Sequence, residues 1–111
     1  MYVLFCLDNP VTGPAIRREI RAAHLQYVLD QPTVFHYGGP LQDEAGKTVG
    51  SIMILDLPDR AALEGFLAEE PYSRSKLYEA MIIRRTRRVV PEVEPGALAD
   101  ELARQLALTA G

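Results

Sequence analysis

The sequence predicts an α+β fold with its elements in the order strand, helix, strand, strand, helix, strand. Three observations carry that expectation. Four short runs of apolar or β-branched residues are bounded by Pro, Gly, Asp and Asn. Two longer stretches between them carry apolar residues at helical spacing. The length, 111 residues, is that of one ordinary domain. With 48% apolar residues, a chain of this size builds a core without covalent staples.

Tyr2 to Leu7 is a continuous apolar run stopped by Asp8-Asn9-Pro10 and Gly13-Pro14, and it reads as a buried strand. A helix follows from about Ala15 to Asp30. Ile16, Ile20, Ala23 and Tyr27 share one face, Thr12 and Pro14 stand where a cap and a first-turn proline belong, and Pro32 helps to stop it. Thr33 to Tyr37 is the second strand, followed by Gly38-Gly39-Pro40. Gln42 to Lys47, polar and carrying Gly46, is a hairpin loop, and Thr48 to Leu57 is the clearest strand. Asp59 caps a second helix in which Ala62, Leu63, Phe66 and Leu67 recur at helical spacing. Pro71 ends it, Tyr72 to Tyr78 has room for another turn or two, and Ala80 to Val90 is the last strand.

That order is the ferredoxin-like βαββαβ arrangement, a four-stranded antiparallel sheet with both helices on one face. The third strand is largely apolar on both sides, with Ile52 and Ile54 alternating with Met53 and Leu55. The helix-free face therefore needs a cover, and the simplest is a second copy packed sheet to sheet in a two-fold homodimer. Pro91 to Gly96 reads as a connector, and Ala97 to Leu108 as an extra C-terminal helix striped by Leu98, Leu102 and Leu106. The pattern fits docking on its own chain and docking on a partner equally. The expected division is a domain over residues 1–90 and a connector with helix over residues 91–111.

Composition excludes several function classes. Twelve basic against 15 acidic residues give a net charge of −3, which is not the footprint of a nucleic-acid binder. One cysteine, Cys6, excludes an intrachain disulfide and any Cys-rich zinc site, so no metal is expected. The apolar start is too short for a signal peptide, and no run is long enough to span a membrane. A cytoplasmic setting, with no membrane partner, is the expectation.

Among the residues that carry chemistry, His24 lies beside the apolar face of the first helix, with Arg17 and Arg21 on its flank. Two neighbouring cations favour neutral imidazole, the form a general base needs. The plainer alternative is a boundary histidine bonded to backbone. Asp8 and Asp56 stand at strand ends, and Glu69-Glu70 stand at a helix C-terminus, where the dipole disfavours acids. Each also reads as an ordinary turn or surface acid. Arg84-Arg85-Thr86-Arg87-Arg88 alternates in a strand and reads as an edge guarded by charges that pair with acidic neighbours. Gly38-Gly39-Pro40 brings backbone near a ligand without the context of a dinucleotide or phosphate loop.

Several of these pieces, in order, make the chain resemble the YCII-related (YciI-like) proteins of the dimeric α/β-barrel superfamily. They are Tyr2-Val3-Leu4-Phe5 with Asp8, Arg21-Ala22-Ala23-His24-Leu25, Gly39-Pro40-Leu41, Gly50-Ser51, and Glu70-Pro71-Tyr72 before a final strand with a basic end. The resemblance implies a ferredoxin-like protomer, a dimer whose two sheets form a barrel, and a pocket around His24. It also implies a carboxylate partner for that histidine, usually the Asp of an Asp-Pro-Tyr/Phe motif; Glu70 stands there with one more methylene. A few relatives are lyase- or isomerase-like enzymes acting on chlorinated hydroxyquinols or lactones. The reaction implied here is cofactor-independent proton transfer on a small molecule. His24 is the base, Glu70 or Asp8 orients it, Ser51 bonds the substrate, Arg17 or Arg21 holds an acidic group, and Gly39 and Pro40 line the pocket. The alternative from another class is a non-catalytic dimeric module that binds a small metabolite or serves as an accessory.

Overall fold

A computed structural model describes residues 1–110. Four strands, β1 (Tyr2–Asp8), β2 (Phe35–Gln42), β3 (Thr48–Leu55) and β4 (Tyr78–Arg85), form one antiparallel sheet in the order β2-β3-β1-β4. The helices α1 (Gly13–Leu29), α2 (Arg60–Glu69), the single turn α3 (Pro71–Arg74) and α4 (Ala97–Thr109) complete the chain. This is the expected βαββαβ order with an extra C-terminal helix.

β1 lies in the middle, and its even-numbered side chains meet the helices. Tyr2, Leu4 and Cys6 are buried with Met53 and Leu55 of β3 and with Leu63 and Phe66 of α2. β1 and β3 approach so closely that a Cβ on Gly50 would stand 2.1 Å from the Cys6 carbonyl oxygen. Only glycine fits there.

Several boundaries differ from the sequence reading. β2 runs through Gly38-Gly39-Pro40 rather than stopping before it. It is an edge strand, so the N–H that proline lacks is not required of every residue. β4 stops at Arg85 rather than Val90: its last ladder partner is Tyr2, where β1 begins, and past it the Thr86 amide donates to the Met1 carbonyl at 3.0 Å. Arg87 and Arg88 therefore lie outside the strand. β4 is an edge strand, as expected, but neither its two arginines, Arg84 and Arg85, nor Arg87 and Arg88 beyond it pair with an acid among the described residues. Thr12 makes no cap bond; the Asn9 side chain accepts from the Val11 and Thr12 amides instead. Asp59 caps α2 through the Ala62 amide at 2.9 Å.

α4 stands apart. None of its residues is buried, and Leu98, Leu102 and Leu106 are 40%, 60% and 59% exposed. The radius of gyration is 17.7 Å, against about 13 Å for a compact chain of this length. Glu92 secures the start of α4, accepting from the Gly96 and Leu98 amides, and these bonds hold its carboxyl below the ordinary range.

Candidate functional site

His24 turns inward from α1. The inward strip of that helix contains buried Gly13 and half-buried Ile16, Arg17, Ile20, His24, Tyr27 and Val28, whereas Ala23 is exposed. The strip is rotated toward Arg17 from the predicted face, so His24 sits within it rather than at its border. Its Nδ1 lies 2.6 Å from Glu70 Oε1, and its ring stacks on Tyr72 with centroids 4.0 Å apart. Among the described residues, Nε2 has no hydrogen-bond partner, and the ring lines a cleft.

Glu70 is wholly buried, which makes its setting informative. It ends α2 and caps α3, so the carboxylate meets the favourable N-terminal end of the next turn. That resolves the local oddity of an acid at a helix C-terminus. Oε1 accepts from the Tyr72 amide at 3.1 Å; Oε2 accepts from the Ser73 amide at 2.8 Å and the Ser73 hydroxyl at 2.7 Å. Burial by itself pushes this carboxyl up. The bonds from His24, Ser73 and Tyr72 outweigh it and hold the group below the usual carboxylate range. An ionised Glu70 accepts from Nδ1–H, and in the neutral ring that tautomer carries its lone pair on Nε2, toward the cleft.

Asp8 is not brought to His24. Arg17 takes both of its oxygens, Nε to Oδ2 at 2.6 Å and Nη2 to Oδ1 at 2.9 Å. Nη2 also donates to the Gly50 carbonyl at 2.9 Å and to Ser51 Oγ at 2.8 Å. Burial opposes the charge on Arg17, but the bond to Asp8 and its negative charge more than restore it. The nearest charged group to the His24 ring is thus an anion, Glu70, where the sequence suggested flanking cations. Arg17 is held in the wall, its guanidinium 5.0 Å from the Tyr72 ring centroid. Arg21 is exposed at the cleft and makes no ion pair among the described residues.

The cleft has a volume of about 550 Å³ and lies between α1 and the β2–β3 half of the sheet. That is room for a small ring compound. Ser51, Gly39 and Pro40 line it from the sheet, Arg17, Arg21 and His24 from the helix. Two further residues belong to its wall, Tyr72 and Tyr78. The Tyr78 and Ser51 hydroxyls share a hydrogen bond of 2.9 Å. Tyr72 was legible only as part of Glu70-Pro71-Tyr72, and Tyr78 had no local signal. The described residues hold no group of three or more His, Cys, Asp or Glu side chains able to take a metal ion. No described helix is long and apolar enough to cross a membrane.

Among curated proteins, none matches the chain. Solved structures do. One is the 5-chloro-2-hydroxyhydroquinone dehydrochlorinase TftG of Burkholderia phenoliruptrix AC1100, in complex with 2,5-dihydroxybenzoquinone. It superimposes with a TM-score of 0.71 at 21% identity, covering 82% of this chain and 97% of that one. A second is PA3566 of Pseudomonas aeruginosa, with a TM-score of 0.49 at 21% identity, covering 80% and 92%. The profile of the YCII-related domain matches residues 1–87, from the first strand to just past the last. A match over that span, on a sheet of this order, means that the chain belongs to the YCII-related family.

Proposed function

We propose that this protein is a small-molecule enzyme of the lyase or isomerase kind that works by proton transfer without a cofactor. The observation that carries the reading is the 2.6 Å contact between His24 Nδ1 and buried Glu70, with the other ring nitrogen at an open cleft. Nε2 takes a proton from a substrate hydroxyl or from a carbon beside a carbonyl. The electron pair released moves into the substrate, where it shifts a double bond or expels a leaving group. Glu70 stays ionised, fixes the tautomer and steadies the imidazolium. The proton on Nε2 then returns to a second substrate position or passes to solvent. Arg21, exposed at the rim, holds an acidic substituent, and Ser51 bonds an oxygen. The dehydrochlorinase with a related fold supports an oxygenated ring as the substrate and loss of a halide as one outcome.

A homodimer belongs to the same proposal. The sheet face away from the helices carries Phe5, Leu7, Tyr37 and Ile82, each between 41% and 55% exposed, and a second copy covers it most simply. A cytoplasmic setting is also part of it.

The test is chloride release from 5-chloro-2-hydroxyhydroquinone. We expect turnover by the wild type and a loss of about 100-fold or more in His24→Ala. Turnover unchanged in His24→Ala overturns the mechanism. Tight binding of the substrate with no turnover by the wild type moves the reading to a metabolite-binding module.

A further inference from the structure

Ser51 and Tyr78 hold one more hydroxyl proton than the protein around them accepts. Each hydroxyl has one proton to give. Arg17 Nη2 donates to Ser51 Oγ at 2.8 Å, and the Ser51 and Tyr78 oxygens share one hydrogen bond at 2.9 Å. Whichever residue donates in that shared bond, the proton of the other is left over. No other hydrogen bond of either hydroxyl is present among the described residues. Both residues line the cleft, and Ser51 is only 8% exposed. A hydroxyl enclosed to that degree and without an acceptor is costly, so its natural acceptor is whatever fills the cleft.

One neighbour strengthens the donor, and another adds a further unpartnered hydroxyl to the cleft wall. The Arg17 guanidinium withdraws electron density from Ser51 Oγ at 2.8 Å. The buried Tyr72 hydroxyl also has no partner, and Tyr72 lines the same cleft. Among the described residues that line the cleft there is no carboxylate to compete for these protons; Asp8 and Glu70 are not in its lining, and their oxygens are already engaged. Burial pushes the Tyr78 phenol well up, although the Ser51 bond opposes this, so Tyr78 remains a protonated donor at any ordinary pH.

We propose that Tyr78 is a positioning residue of this site, forming with Ser51 a two-hydroxyl relay that presents one O–H to the ligand oxygen on which negative charge gathers. The ligand chemistry that fits is a carbonyl, enolate or phenolate oxygen presented beside the proton that His24 removes. The relay hydrogen-bonds that oxygen and gives up no proton. What gathers the charge rests on the proton-transfer reading; the spare O–H does not.

The relay makes a non-additive prediction. In Ser51→Ala, Tyr78 becomes free to donate; in Tyr78→Phe, Ser51 does. Titration with 2,5-dihydroxybenzoquinone should therefore weaken by about twofold or less in either single variant. In Ser51→Ala/Tyr78→Phe the loss should reach about tenfold, more than the product of the two. A double variant that binds as the wild type does, or that only multiplies the single effects, overturns the relay. If the wild type takes up none of this probe, a crystal structure of the unliganded protein decides. An ordered water in the cleft, at hydrogen-bond distance from Ser51 Oγ or the Tyr78 hydroxyl, is expected. A spare proton given to a main-chain carbonyl instead overturns the proposal. Failure of the proton-transfer reading shows separately, as turnover indifferent to His24→Ala.

Discussion

Alternate residues of β1 live in different worlds. Tyr2, Leu4 and Cys6 point at the helices and are 6%, 0% and 0% exposed, while Phe5 and Leu7 between them are 41% and 48% exposed. The side chains are equally apolar, so composition did not decide which became core. The helices did, by covering one face. That face also holds every group of the candidate site, from Asp8 and Arg17 to Glu70. The other face carries partly exposed Phe5, Leu7, Tyr37 and Ile82 beside Arg84, and it is the surface proposed above for the contact between copies.

The contrast can be broken by substitution at neighbouring positions. Leu4→Ala should cost about 2–5 kcal/mol in denaturant unfolding, because a sealed cavity remains. Phe5→Ala, measured in dilute protein, should cost under about 1 kcal/mol. Should Phe5→Ala cost as much as Leu4→Ala, with a dependence on protein concentration, the open face is covered in solution and the two faces are less different than they look.

A smaller effect comes from Glu70. Its folded carboxyl sits below its ordinary value of 4.5, so the stability it contributes is complete above that value and is lost as pH falls through the folded value. Glu70→Gln should destabilise by about 1–3 kcal/mol at neutral pH, since the new amide meets the Ser73 and Tyr72 amides with donors. Unfolding of the variant followed between pH 7 and 3 should show a shallower acid slope than the wild type. Parallel slopes would mean that another acid governs the covered face.

The smallest effect belongs to α4. Leu102→Ser should shift the unfolding midpoint of a dilute sample by an amount equivalent to less than about 0.5 kcal/mol, because the side chain is 60% exposed. A larger loss at high protein concentration alone would assign the leucine stripe to a contact between copies.

The order of elements was legible because apolar runs and breakers alternate with two helical periods. What was not legible depended on partners. Gly38-Gly39-Pro40 looks like the end of a strand until β2 is known to be an edge. The arginine run looks like one strand until β1 is seen to run out opposite Arg85. In the site, residue types pointed to His24 and Glu70, which lie 46 positions apart and meet only in the fold. The helical wheel misjudged the inward strip because Arg17 reads as a solvent residue. Its ion pair with Asp8 lets it turn inward and carry the strip round with it. Tyr78 escaped notice because it meets Ser51 from an edge strand across β1, and no local spacing reports such a contact.

Cys6 sits at the centre of this arrangement. It is fully enclosed in the middle strand, and burial first, then the charges of Glu70 and Asp8, push its thiol up to about 12. The thiolate is the form that attacks alkylating and disulfide reagents, so the enclosed, protonated thiol of the native chain is shielded from them. The single thiol becomes reactive only when the middle strand parts from its neighbours. The rate at which a thiol reagent labels this protein is therefore a clock for the opening of the sheet, built in without any added probe.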